Sequence, residues 1–245
     1  MKQELKKPDI KAIQNQLIEK LTFSGWIHKL KGFVLSSEFT YIIEALWNYR
    51  ENGKRFAPGL NQMFRAFFET RYDDLKVIFC FQDPYFKLID GKSVADGLAT
   101  SCSNTLKIQP TLKYIFDAVE RTVYPGNGYD RNPDLSRWAR QGVLLLNTAL
   151  SVEVGKPGSH LKLWEPFTNY LFDMLNLTNS GLIWVGFGAN VRPFMSRVNE
   201  GTHYKIEVSH PASAAYAHKK EWDCKDLFNE VNRILMNNNN NKIIW

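Results

Sequence analysis

Apolar positions recur at helical spacing over residues 9–21 and 37–49, and again over 60–68, so the chain is predicted to open with a helical preamble. Four short β-type runs follow: Val77–Phe81, residues 142–146, residues 182–185 and Tyr204–Val208. Each is apolar enough to be buried on both faces, as strands inside a parallel sheet are. Helix-length segments over 112–122 with 136–140, then 166–175 and 189–198, separate these runs, and 222–236 reads as a closing helix. The alternation predicts an α/β fold: three layers, α/β/α, with a central, mostly parallel four-stranded sheet. Asparagines fill 237–241, so one domain over 1–236 and a low-complexity tail over 237–245 are expected. The chain has no internal repeat.

Composition narrows the picture only slightly. At 245 residues, 44% apolar and 23% charged, the chain fits one ordinary globular domain. No apolar stretch reaches the roughly 18 residues of a membrane span, and the opening Met1-Lys2-Gln3-Glu4-Leu5-Lys6-Lys7 is too polar for a signal peptide. An intracellular protein without membrane contact is expected, cytoplasmic or in a host-cell compartment if the source is viral. Cys80, Cys102 and Cys224 lack any CxxC pair, and the five histidines show no metal spacing. Neither a metal nor a cofactor is expected. The net charge of +6 is compatible with a nucleic-acid ligand.

Chemistry concentrates where the strands end, since open parallel sheets bind ligands beyond the carboxyl ends of their strands. The first run delivers Gln82-Asp83-Pro84-Tyr85, in which Pro84 fixes the backbone and turns Asp83 away from helix. The second ends in Asn147, the third in Gly186-Phe187-Gly188-Ala189, and the fourth in Ser209-His210-Pro211. Any one of these is ordinary turn chemistry. Together they place a carboxylate, a carboxamide, a glycine turn and an imidazole at one cleft. Gly186-Phe187-Gly188 lacks a third glycine and GK[ST], so it is no nucleotide-binding fingerprint, and no GxSxG elbow exists.

Several separated stretches resemble the single-domain uracil-DNA glycosylase family. They are Gln82 to Tyr85, Leu144-Leu145-Leu146-Asn147, Ser159-His160 followed by Trp164-Glu165-Pro166-Phe167-Thr168, and His210-Pro211-Ala212-Ser213. The resemblance covers most of the chain and implies a monomeric, cofactor-free hydrolase that flips uracil out of single- or double-stranded DNA and leaves an abasic site. It assigns catalysis to Asp83 and His210 and uracil binding to Gln82, Tyr85, Asn147 and the position of Thr100. It places DNA contacts at Pro110, Thr111, His160, Gly186, Ser213 and Ala214, and allows a protein inhibitor or replication partner.

The chain departs from the family pattern at four places. Thr100 stands where a phenylalanine stacks on the base, with Phe86 the ring nearest to hand, and Ala214 where a leucine wedge enters the base stack, with Tyr216 close by. Phe81 replaces a glycine and Phe187 a phosphate-binding serine. These changes set an alternative beside the enzyme: a DNA-binding homologue without catalysis, acting as a scaffold. Retention of Asp83, Asn147 and His210 favours the enzyme.

Overall fold

The computed structural model describes residues 8–245. Four strands, β1 (Val77–Phe81), β2 (Val143–Asn147), β3 (Ile183–Phe187) and β4 (Tyr204–Val208), form one sheet in the order β2-β1-β3-β4. Every pairing in it is parallel. All residues of β1, β2 and β3 are buried, whereas the edge strand β4 leaves Tyr204 and Glu207 exposed. The all-apolar runs in the sequence therefore correspond to the strands covered on both sides.

Alternate residues of a strand face opposite sides, and the aromatic contacts show what covers each. Trp184 of β3 packs on Phe172 of α7 (Leu161–Thr178), in a layer with α1 (Ile10–Phe23), α2 (Ile27–Val34), α3 (Ser37–Glu51) and α4 (Arg65–Glu69). On the other side Phe79 meets Phe228 of α10 (Leu227–Asn237), which packs with α5 (Pro110–Thr122). Side chains cap α1 and α3: the Asp9 carboxylate accepts from the Ala12 amide and Ser36 Oγ from the Phe39 amide. Shorter helices α6 (Ser136–Ala139), α8 (Arg192–Met195) and α9 (Pro211–Tyr216) complete the fold.

Several boundaries differ from the expected ones for local reasons. Helix α2, between Gly25 and Leu35, has no counterpart in the expected pattern. The helix expected over 60–68 forms only at Arg65–Glu69. That expected over 189–198 becomes a 3₁₀ turn at Ala189–Val191 followed by α8, because Pro193 fits only a helix's first turn. The closing helix starts at Leu227 rather than 222, since Lys225 and Asp226 take φ of +50° and +59°. Two short antiparallel ladders were not foreseen, Phe56–Ala57 with Val152–Glu153 and Leu88–Ile89 with Lys92–Ser93. The second is closed by Asp90-Gly91 with positive φ at both residues, the conformation a tight hairpin needs.

The segment over 237–245 is not an appended tail. The Asn232 carboxamide donates to the Ile243 carbonyl at 3.0 Å and accepts from its amide at 2.8 Å. Trp245 is buried, stacked on Phe79 at 5.5 Å and edge-on to Phe228 at 5.1 Å. The polar asparagine run only spans the distance; the apolar Ile243 and Trp245 behind it belong to the core.

Candidate active site

The carboxyl ends of the strands open into a cavity of about 520 Å³, lined by Asp83, Tyr85, Thr100, Asn147 and His210 among others. Sheet register explains the convergence. Asn147 is the Cα partner of Phe81, so the carboxamide stands beside the point where β1 releases Gln82 and Asp83. Phe187 pairs with Val208, so His210 lies two residues beyond the end of that ladder. A second cavity, about 500 Å³ between α10 and the chain end, carries none of these groups.

Burial and hydrogen bonding give the lining its character. Asp83 is partly buried, and desolvation raises its pKa above the ordinary carboxylate value, while the Gly158 amide, donating to Oδ2 at 2.6 Å, pulls the other way. Burial lowers the His210 imidazole to about 4. Its Nδ1 accepts from the Ala212 amide at 3.1 Å, which leaves the proton of the neutral ring on Nε2. Asn147 is buried, and among the described residues its carboxamide makes no hydrogen bond, so its donor and acceptor are available to a ligand. The Gln82 carboxamide oxygen accepts from the Asn190 amide group, tying the loop after β1 to that after β3. The Tyr85 hydroxyl donates to the Thr100 carbonyl at 3.2 Å.

Thr100 holds an unusual backbone, φ +63° in a β-branched residue. Its loop is anchored by Asp96, fully buried, which accepts from the Leu98 amide at 3.1 Å, the Ser101 hydroxyl at 2.6 Å and the Ser103 amide at 2.8 Å, and pairs with Arg65 at 3.0 Å. A buried carboxylate satisfied by several donors and a guanidinium is a rigid support.

Of the residues expected at the DNA side, Pro110, Thr111 and Ser213 line the cavity, the first two opening helix α5. His160, Gly186 and Ala214 do not. His160 is 1% exposed, with Nδ1 bonded to Ser151 Oγ at 2.8 Å and its ring edge-on to Tyr49 at 4.8 Å, so it is a core histidine. Gly186 lies inside β3, where a Cβ would meet Met195 Cγ at 2.7 Å; it is a packing glycine. The glycine at the cavity is Gly188, at φ +89°, whose amide donates to the Val208 carbonyl and whose Cβ would strike His210 Cβ at 2.9 Å. Ala214 is 3% exposed, and the outward ring on that helix is Tyr216, 81% exposed on the cavity's rim.

Gly158, Asn190 and Lys87 were not foreseen at this site. Pro157-Gly158 is a turn-type dipeptide, but nothing in the local pattern ties it to Asp83, 75 residues away.

Comparison with known proteins decides the family. The chain is 31% identical over 233 residues to a uracil-DNA glycosylase of Acinetobacter baumannii strain SDF, covering 95% of each chain. The chain belongs to the uracil-DNA glycosylase family. It is also 34% identical over 229 residues to the uracil-DNA glycosylase of Buchnera aphidicola subsp. Baizongia pistaciae, covering 91% of this chain and 97% of that one. No family model matches the chain. The fold is that of mimivirus uracil-DNA glycosylase, with a TM-score of 0.84 at 23% identity over 98% of this chain and 90% of that one. A variant of the same viral enzyme, solved in complex with UGI, aligns with a TM-score of 0.80 at 23% identity, covering 90% of this chain and 87% of that one. Among the described residues no helix is long and apolar enough to cross a membrane.

Proposed function

We propose that this chain is a DNA-repair enzyme that hydrolyses the N-glycosidic bond of uracil in DNA and leaves an abasic site. The observation that carries the reading is the convergence of Asp83, Asn147 and His210 on one cavity in a member of this family. The unpartnered Asn147 carboxamide is suited to uracil, which presents an N3–H donor beside an O4 acceptor. Cytosine presents the reverse pattern at that edge and leaves a buried amide unpaired. Tyr85, held by its bond to the Thr100 carbonyl, closes the side where a C5 methyl would project.

Cleavage builds positive charge on the sugar and negative charge on the departing base. Asp83, poorly solvated as an anion, gains most from a cationic sugar, and its carboxylate also positions the attacking water. His210 donates from Nε2 to the developing anion at uracil O2. A neutral imidazole does this without the desolvation penalty that burial imposes on imidazolium. The base must leave the helix to reach these groups, at a cost of a few kcal/mol. Phosphate binding by the Thr111 amide and hydroxyl in the first turn of α5, with the exposed Lys219 and Lys220, offsets that cost. The outward ring of Tyr216 fills the vacated stack. The cavity is complete within one chain, which supports action as a monomer.

The test is excision from oligonucleotides carrying one uracil, single-stranded and duplex, read as alkali-labile strand breaks. Release of uracil by the wild type and its loss in Asp83→Asn support the reading. DNA binding without breaks in either substrate favours a scaffold instead.

A further inference from the structure

The cavity contains an aromatic pair that the reaction as described does not use. Phe81 and Phe187, the last residues of β1 and β3, stack at 4.1 Å with their planes 10° apart, and both line the cavity. Phe81 shares its register with Asn147, so the two side chains leave the same face of the sheet next to each other. The Phe81 ring also meets the His210 ring edge-on, at 5.7 Å and 87°. A planar ligand bonded to both Asn147 and His210 is thereby brought against Phe81. Thr100 offers that ligand no ring; Phe86 also borders the cavity, but it packs against the small cluster of Ala57, Ala95 and Val152 and has no ring contact with His210.

We propose that the stacked Phe81–Phe187 pair is the aromatic surface against which the excised base rests, and that Phe81 also orients the His210 ring. The inference rests on the uracil-excising reading and deepens it. Phe187 backs Phe81 on one side, so the ring cannot swing away when a ligand enters, and a preordered surface binds a planar base with little ordering loss.

The experiment compares wild type with Phe81→Leu, Phe187→Leu and Phe86→Leu, each checked for cooperative melting, by inhibition of excision with free uracil and by NMR titration of His210. Leucine keeps an apolar side chain of similar bulk while removing the ring. Phe81→Leu is expected to weaken uracil inhibition about tenfold or more, from the worth of one base–aromatic stack. It should also move the His210 titration toward its ordinary range, a readout that general loosening of the core would not confine to one histidine. The titratable groups lining the same cavity are Asp83, Tyr85, Lys87 and Tyr216, all retained in these variants. Uracil inhibition unchanged in Phe81→Leu, or a larger loss in Phe86→Leu, would overturn the proposal. A wild type that releases no uracil removes the underlying reading instead, and the His210 titration still reports the ring contact.

Discussion

His210 should remain neutral throughout the physiological range. Burial lowers its pKa from 6.5 to about 4, and a difference of about 2.5 is worth about 3 kcal/mol against the charged ring. At pH 7 about one molecule in a thousand then carries imidazolium, against about one in four for an ordinary histidine. The excision rate should therefore show no His210-dependent inflexion near 6.5; the acid limb belongs to Asp83, whose raised pKa makes its carboxylate protonate before an ordinary aspartate does. The linkage has a definite sign. The unfolded chain takes up a proton at His210 below about 6.5 and the folded chain only near 4, so stability is lost as pH falls across that window. Buried His160, also lowered to about 4 by desolvation, adds to the loss with the same sign. The assay is NMR titration of ¹³C-labelled histidines, with His210→Gln for assignment, alongside single-turnover rates from pH 5 to 8. A His210 midpoint near 6.5, or a rate inflexion there that disappears in His210→Gln, would refute the argument.

Three further outcomes follow from the same geometry. Asp83→Asn should lower the excision rate about a hundredfold or more, with melting at pH 7 no lower than wild type. Because desolvation raises the Asp83 pKa, the stability it contributes falls as pH rises through the folded value, and the substitution removes that penalty. Trp245→Ala should lower stability by about 3–5 kcal/mol in urea titrations, since the ring is 3% exposed and stacked on Phe79; an unchanged midpoint would mean that the chain end is not part of the core. Tyr216→Ala, altering a ring 81% exposed, should leave the melting temperature alone while slowing excision from duplex more than from single-stranded DNA; equal slowing on both would deny it a place in the stack.

The sheet was legible because burial on both faces leaves a continuous apolar run, and β1, β2 and β3 carry one each. The groups at the strand ends were legible for the same reason: once the strands are found, Asp83, Asn147 and His210 must share an edge. What escaped depends on contacts distant in sequence. His160 looked like a surface ligand in its motif, and only the packing of Tyr49 and Ser151 makes it a core residue. Gly186 and Gly188 are equivalent in the string; Met195 behind one and His210 against the other separate their roles. The asparagine run concealed Trp245, because composition describes the linker and not the anchor after it. Phe81 and Phe187 each read as an isolated departure from the family pattern, yet register makes them one stacked unit.

A uracil-excising centre built from Asp83, Asn147 and His210 has both to select its base and to cleave it. Its most direct measurement is the single-turnover rate on an oligonucleotide with one uracil, against the same oligonucleotide with cytosine or thymine at that position, for wild type and Asp83→Asn. Alkali-labile breaks are expected at uracil alone with the wild type, and their near-complete loss in Asp83→Asn with DNA affinity retained. Intact DNA from every substrate with the wild type, or an undiminished rate in Asp83→Asn, would contradict it.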